Sequence, residues 1–113
     1  MIYKQFDIVR VPFPFVDSSD TKRRPAIILS SDNFNQESEH SIMAMITSAR
    51  NNPWPKDVAI TNLAITGLPK ASVIRMKLFT LDNRLILSPL GILSKKDQKA
   101  LKDTLQSLLE NIL

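Results

Sequence analysis

A run of basic residues precedes an apolar segment in the first quarter of the chain. Residues 22–25 read Lys-Arg-Arg-Pro and continue into Ala-Ile-Ile-Leu, a segment of strand length. A guanidinium held at a rigid strand entrance can bind a phosphate through two parallel hydrogen bonds. The type and position of Arg24 therefore predict a phosphate-binding residue, with Lys22 and Arg23 beside it. The alternative is that the run is a solvated flank that limits aggregation of the strand.

Further side chains with suitable chemistry follow along the chain. Thr47 and Ser48 end an apolar segment, and their hydroxyls can donate hydrogen bonds to phosphate oxygens. Trp54 lies between two prolines in a loop, where it can stack on an unpaired base or fold onto the core or a partner subunit. His40 is the single histidine and a candidate acid or base, although a histidine in a polar segment is more often ordinary surface. Other basic residues could extend a track along RNA: Arg50, Lys56, Lys70 and Arg75.

The composition limits the kinds of chemistry that these residues can perform. The 113 residues fit one domain, residues 1–113, and 15 basic against 11 acidic residues leave a net charge of +4, which permits a polyanionic partner such as RNA. Without cysteine there is no disulfide or thiolate site, and one histidine argues against a zinc centre built from imidazoles. We therefore expect no cofactor and no metal. The N-terminus lacks the apolar core of a signal peptide, and no apolar run approaches the roughly 18 residues that span a bilayer, so we expect a cytoplasmic protein.

Most of the chain has the composition of β-strands. The predicted strands are residues 8–11, 26–29, 41–47, 57–61, 72–81 and 84–90. Residues 41–47 are apolar throughout, as in a strand that is buried on both faces. We expect Pro12 and Pro14 to end any interior pairing of the first strand, which should lead into an extended edge. We expect Asp82 and Asn83 to form a hairpin turn between the last two strands.

Polar segments connect these strands, and a helix ends the chain. The predicted loop at residues 16–22 contains Asp17 and Asp20, which are either candidate proton acceptors or solvated turn residues. Residues 32–35 have room for one helical turn. Ser94 followed by an acid at position 97 has the spacing of a capping box and predicts the start of a helix. Its apolar stripe is expected to pack on the sheet, or alternatively on a partner: Leu101, Leu105, Leu108, Leu109 and Ile112.

Taken in order, these segments resemble the MazF/PemK (Kid-like, CcdB-like) toxins of bacterial type II toxin-antitoxin systems. The resemblance covers most of the chain and rests on several blocks: residues 6–9, 23–29, 45–48, 72–75, 78–82 and 90–94. It implies a mainly β fold with α, a compact SH3-like or CcdB/PemK-like barrel of antiparallel strands with a C-terminal helix. It also implies a homodimer that an antitoxin protein holds inactive.

The resemblance further implies a metal-independent endoribonuclease that cuts single-stranded RNA, usually messenger RNA. In ribonuclease members the arginine before the proline and the threonine that ends the next central strand line the active site, which places catalysis here on Arg24 and Thr47. The remaining candidates for RNA binding are Lys22, Arg23, Ser48, Arg50, Trp54 and Lys77.

The chain departs from the family pattern at a possible general base. Several ribonuclease members carry an acid followed by glutamine where this chain has Met76 and Lys77, and the opening glycine is replaced by Phe6. Lys77 could bind phosphate there, while His40 and Asp17 remain the other candidate acids or bases. The alternative function is therefore a member that binds without cleaving, either a gyrase poison or a module that binds RNA or antitoxin.

Overall fold

The computed structural model describes residues 3–13 and 22–113, which form a six-stranded antiparallel sheet and two α-helices. The sheet is curled into a half-barrel, and its strand order is β4-β5-β3-β2-β1-β6. The mainly β fold with a C-terminal helix is confirmed. The elements are β1 Asp7–Phe13, β2 Lys22–Ile28, α1 Asp32–Ser38, β3 His40–Ser48, β4 Val58–Ala59, β5 Ser72–Asp82, β6 Ser88–Ile92 and α2 Lys95–Leu108.

The first two strands extend further than the sequence indicates. β1 continues through Pro12, which is paired with Arg23 on β2 but has no strand on its other side among the described residues, so the expected change from interior pairing to an edge is confirmed. Pro12 is tolerated because β6 pairs with β1 only as far as Arg10, which leaves β1 with a neighbour on one side beyond that point. On β2, Lys22, Arg23 and Arg24 belong to the strand itself and not to the preceding loop. The predicted loop residues Asp17 and Asp20 lie outside the described residues.

The two sides of the sheet each carry an apolar cluster, and β3 contributes to both. Ala44 and Ile46 pack in one cluster with Leu101 of α2, while Met43 packs in the other with residues of β1 and β2. All of these residues are at most 1% exposed. The prediction that β3 is a strand buried on both faces is confirmed, and the strand therefore has little freedom to shift at either end.

Both glycines of the chain lie where the segment after β4 meets β6 at the opposite edge of the sheet. The Ile92 N–H donates to the Ile65 carbonyl across this junction, at 3.0 Å. Gly67 has φ +74°, and a Cβ there would lie 2.1 Å from the Leu90 carbonyl oxygen. A Cβ on Gly91 would lie 2.4 Å from the Ile65 carbonyl oxygen. The close approach of two backbones requires glycine on both sides and brings the sheet edges together.

The expected hairpin between β5 and β6 is wrong. After Asp82 the chain makes a 3₁₀ turn at Asn83–Leu85, and β6 pairs with β1 while β5 pairs with β3 and β4. The reason is a tertiary anchor, because the Asn83 amide accepts from the Ser41 hydroxyl at 2.6 Å and donates to the Asn35 carbonyl at 2.9 Å. These bonds hold the turn against β3 and α1, so the chain crosses to the far edge of the sheet.

The terminal helix begins where the sequence predicts, and it ends earlier. The Ser94 hydroxyl accepts from the Asp97 N–H at 3.2 Å, which confirms the N-cap. The Asp97 carboxylate is buried and accepts from the Thr61 N–H and hydroxyl, at 2.8 and 2.7 Å, which fastens the helix to the segment after β4. The expectation that the apolar stripe of the helix includes Ile112 is wrong, because the helix ends at Leu108 and Ile112 is 79% exposed.

Candidate functional site

The pairing of β2 with β3 brings Arg24 next to Thr47. The register places Ala26 opposite Met45. Arg24 lies two residues before Ala26, and Thr47 lies two residues after Met45, so both are at the same end of this strand pair and on the same face of the sheet. Both residues line one open cleft with a volume of about 450 Å³. The structure therefore brings together two side chains that are 23 positions apart in sequence (47 minus 24).

The cleft is strongly cationic. Its polar lining comes from four basic and four neutral side chains, and no carboxylate lines it among the residues that the structure describes. Four positive charges around one concave surface attract an anion with several negative charges. The lining residues are Arg23, Arg24, Pro25, Ile46, Thr47, Ser48, Arg50, Asn51, Leu68, Pro69, Lys70 and Ser72.

The guanidinium of Arg24 is incompletely paired. Its Nε is shielded from solvent and has no hydrogen-bond acceptor within residues 3–13 and 22–113. A shielded N–H without an acceptor costs about 1 to 3 kcal/mol, and more when the group is charged. A partner that supplies an oxygen to Arg24 would remove this cost. The geometry therefore favours an oxyanion bound at this end of the cleft.

Two hydroxyl-bearing residues, Thr47 and Ser48, line the same cleft as Arg24. Thr47 is buried, and its Oγ1 accepts a hydrogen bond of 2.6 Å from the Asn51 side-chain nitrogen. A hydroxyl that accepts one bond can still donate its own proton. The Ser48 hydroxyl accepts from the Arg50 N–H at 3.2 Å, which shapes the turn after β3. The strand end thus presents hydroxyl donors next to a guanidinium.

A second arginine, Arg75 on β5, is paired within the protein. It is 7% exposed and donates from Nε and Nη2 to the Asp57 carboxylate, at 3.2 and 3.1 Å. Nη2 also donates to the Asn52 carbonyl at 2.7 Å. Burial would raise the pKa of Asp57, but the hydrogen bonds from Arg75 and from the Trp54 N–H, with the arginine charge, hold this pKa below its ordinary value. Its buried, paired state corrects the expectation that Arg75 extends an exposed basic track.

Trp54 and Lys77 form a pair outside the cleft lining. The Lys77 ammonium lies 4.7 Å from the centre of the indole ring, and the Arg75 guanidinium lies 5.6 Å from it. Lys77 falls in an irregular part of β5, between the pairs that Arg75 and Leu78 make with β3. Trp54 is 42% exposed. The ring is therefore fixed beside two cations and still open to solvent.

The candidate proton donors and acceptors are not gathered at the cleft. His40 begins β3 and pairs with Asp82, whereas Thr47 and Ser48 end the same strand, about 23 Å away at the usual rise of a strand. The His40 Nδ1 lies 2.9 Å from the Ser38 carbonyl oxygen. Asp17 lies outside the described residues. Within the described ranges, no three acidic or histidine side chains come together as a metal site requires, and no helix is long and apolar enough to span a membrane.

Sequence reasoning missed two residues that organise the site. Asn51 and Asp57 lie in a loop that the prolines at 53 and 55 predict correctly, yet asparagine and aspartate are ordinary loop residues. Their partners, Thr47 and Arg75, become visible only when the strand ends are placed in space. The spacing of four residues between Thr47 and Asn51 is the one local signal, because a tight turn after a strand can return an asparagine to the last hydroxyl.

Comparison with known proteins agrees with this fold. Residues 4–109 match the family described as PemK-like, MazF-like toxin of type II toxin-antitoxin system. The chain belongs to this family. The resemblance drawn from the sequence blocks is therefore confirmed. Among curated protein sequences, none is significantly similar to the chain.

Solved structures of other toxins share the fold of this family member at low sequence identity. MazF from Deinococcus radiodurans aligns with a TM-score of 0.77 and 21% identity over 96% of this chain and 97% of that one. A mycobacterial endoribonuclease in complex with its cognate antitoxin aligns with a TM-score of 0.74 and 16% identity over 96% and 93%. The Mycobacterium tuberculosis toxin MazF-mt6 aligns with a TM-score of 0.72 and 20% identity over 89% and 93%.

Proposed function

We propose that this chain is a metal-independent endoribonuclease that cleaves single-stranded RNA in the cleft between β2 and β3. One observation carries the proposal: among residues 3–13 and 22–113, the shielded Nε of Arg24 has no acceptor and the cleft of four cations has no carboxylate in its lining. A phosphodiester supplies the missing acceptor. RNA also brings its own nucleophile, the 2′-hydroxyl, so the protein needs no metal-bound water.

The reaction is an internal transfer at phosphorus. The 2′-oxygen bonds to the phosphorus and releases its proton to a base, while the bond from phosphorus to the 5′-oxygen breaks and that oxygen takes up a proton. The products are a 2′,3′-cyclic phosphate and a 5′-hydroxyl. Negative charge grows on the non-bridging oxygens in the transition state, and Arg24 donates charge-assisted hydrogen bonds to them. The Thr47 hydroxyl adds a neutral donor.

The other cleft residues contribute to the affinity for RNA. Arg23, Arg50 and Lys70 line the cleft with Arg24 and neutralise neighbouring phosphates, which makes binding depend on salt and little on base identity. Ser48 also lines the cleft, whereas Lys22, at the start of β2, lies outside the lining. Trp54 with Lys77 offers an exposed ring beside a cation, suited to an unpaired base and its phosphate.

An antitoxin and a second copy of the chain complete the proposed assembly, which we place in the cytoplasm. An acidic antitoxin segment that folds on binding would cover the same cations and so block RNA. The mycobacterial and Deinococcus structures that align with this chain include toxins in complex with their antitoxins, which supports this partner.

The direct test is incubation of the purified protein with a single-stranded RNA in excess EDTA. We expect fragments that end in 2′,3′-cyclic phosphate, and no fragments from the same oligonucleotide with 2′-deoxyribose at the cut site. Arg24→Ala should remove the activity, whereas Arg84→Ala, a matched change at an exposed arginine, should keep it. Cutting that requires a divalent metal, or that survives Arg24→Ala, would refute the proposal.

A second candidate function is binding without cleavage. It is favoured by Met76 and Lys77, which stand where ribonuclease members carry an acid and glutamine, and by the absence of a described carboxylate in the cleft. A binding titration with the same RNA, beside the cleavage assay, separates the two candidates. Tight binding of RNA, or of gyrase, without any cleavage product would select the binding module.

A further inference from the structure

We propose that Asn51 is a positioning residue that directs the hydroxyl proton of Thr47 into the cleft, an inference that rests on the proposed ribonuclease function. The Asn51 side-chain nitrogen donates to Thr47 Oγ1 at 2.6 Å. An amide nitrogen can donate only, so this bond occupies a lone pair of the hydroxyl and leaves its proton for another acceptor. The phosphate held by Arg24 is the acceptor that the cleft offers.

The environment of Thr47 leaves few other directions for this proton. Thr47 is 5% exposed, which excludes most solvent from its hydroxyl. No acceptor for its proton is seen in the described parts of the chain. With one lone pair fixed by Asn51, the hydroxyl is oriented before substrate arrives, and no reorganisation is needed as charge grows on the phosphate.

The loop that carries Asn51 is held at several points. The Asn51 N–H donates to the Ser48 carbonyl at 3.1 Å, which closes the turn after β3. Arg75 binds the next residue through the Asn52 carbonyl, and the Asp57 carboxylate that pairs with Arg75 also accepts from the Trp54 N–H at 2.9 Å. The ion pair between Arg75 on β5 and Asp57 in the loop thus holds the loop on both sides of Trp54, so the Asn51 side chain stays against Thr47.

The experiment is a double-mutant cycle on the rate at saturating RNA. We expect Thr47→Val to lower kcat about a hundredfold, the usual effect of removing one preorganised donor. Asn51→Ala should lower kcat about tenfold in the wild-type background and leave it unchanged in the Thr47→Val background, because Asn51 acts through the hydroxyl. KM should change little in Asn51→Ala, and the midpoint of thermal unfolding should stay at the wild-type value.

Asn51→Asp tests the direction of the bond. Its carboxylate can only accept, so it should draw the Thr47 proton away from the cleft and lower kcat close to the level of Thr47→Val. The added negative charge will raise KM, and the double variant Asn51→Asp with Thr47→Val measures that charge effect alone. We expect the two aspartate variants to have the same kcat.

The outcomes distinguish this inference from the proposed function. If the wild-type protein cuts RNA and Arg24→Ala does not, yet the effects of Asn51→Ala and Thr47→Val multiply, the ribonuclease stands and the role of Asn51 is overturned. A kcat for Asn51→Asp equal to that of the wild type would overturn it as well. If the wild-type protein cuts no RNA, both proposals fail together.

Discussion

Arg24 on β2 and Arg75 on β5 differ in how many hydrogen-bond partners the fold gives to their guanidinium groups. Arg75 is paired with Asp57, bonded to the Asn52 carbonyl and close to the Trp54 ring. Arg24 lines an open cleft, and its shielded Nε has no acceptor among the described residues. A guanidinium that is satisfied within the fold contributes to structure, whereas one that is left unsatisfied beside a cleft is available to a ligand.

The largest expected effect is on stability, at the paired arginine. Arg75→Ala leaves the Asp57 carboxylate shielded and without its partner, so we expect the free energy of unfolding to fall by about 3 to 5 kcal/mol. Urea denaturation of the variant beside the wild type and Arg24→Ala measures this. Arg24→Ala should unfold at the wild-type midpoint or above it. Equal losses in the two variants would remove the distinction between the arginines.

Acid pH should weaken the paired region in particular. The pKa of Asp57 lies below its ordinary value of 3.8, so the native state holds its carboxylate charged and the stability this provides is present above that value. This stability is lost as the pH falls through 3.8 toward the lower pKa of the native state, because the unfolded chain binds the proton first. The free energy of unfolding should therefore fall less steeply with acid in Asp57→Asn than in the wild type. Parallel curves would show that this pair does not control acid stability.

A third arginine, Arg84, extends the comparison, and its replacement is expected to change stability least. Arg84 forms an ion pair with Asp82 at 2.7 Å, but its side chain is 88% exposed. Hydrogen bonds from the Arg84 side chain and backbone lower the pKa of Asp82 to about 2. Water and salt screen such an exposed pair, so Arg84→Ala should not shift the thermal midpoint measurably. A clear shift would mean that pairing alone, and not burial, gives Arg75 its structural role.

Local patterns in the sequence account for much of the fold and part of the cleft. Short stretches of adjacent residues predict the Ser94 cap and the buried strand β3. The sequence blocks shared with the family predict that Arg24 and Thr47 lie together. Arg23, Ser48 and Arg50 also meet at the cleft, as a shared basic surface requires.

Most of the features that sequence reasoning missed depend on partners that are distant in sequence. Alternating apolar residues predict β5 and β6 but not which strand each one joins, and the Asn83 anchor decides that point. The ion pair of Arg75 with Asp57 spans 18 positions and gives both residues a structural role that neither position indicates by itself. Such pairs depend on strand order, which the period of two along a single strand does not encode.

The central claim is that the guanidinium of Arg24 stabilises the transition state of RNA cleavage. Single-turnover cleavage of one single-stranded RNA in EDTA, with wild type, Arg24→Lys and Arg24→Ala, tests it most directly. We expect Arg24→Ala to be slower by about a hundred- to a thousandfold, and Arg24→Lys to be nearly as slow because lysine cannot reproduce the planar fork. An Arg24→Lys variant that cuts at the wild-type rate would reduce Arg24 to a general positive charge and contradict the account.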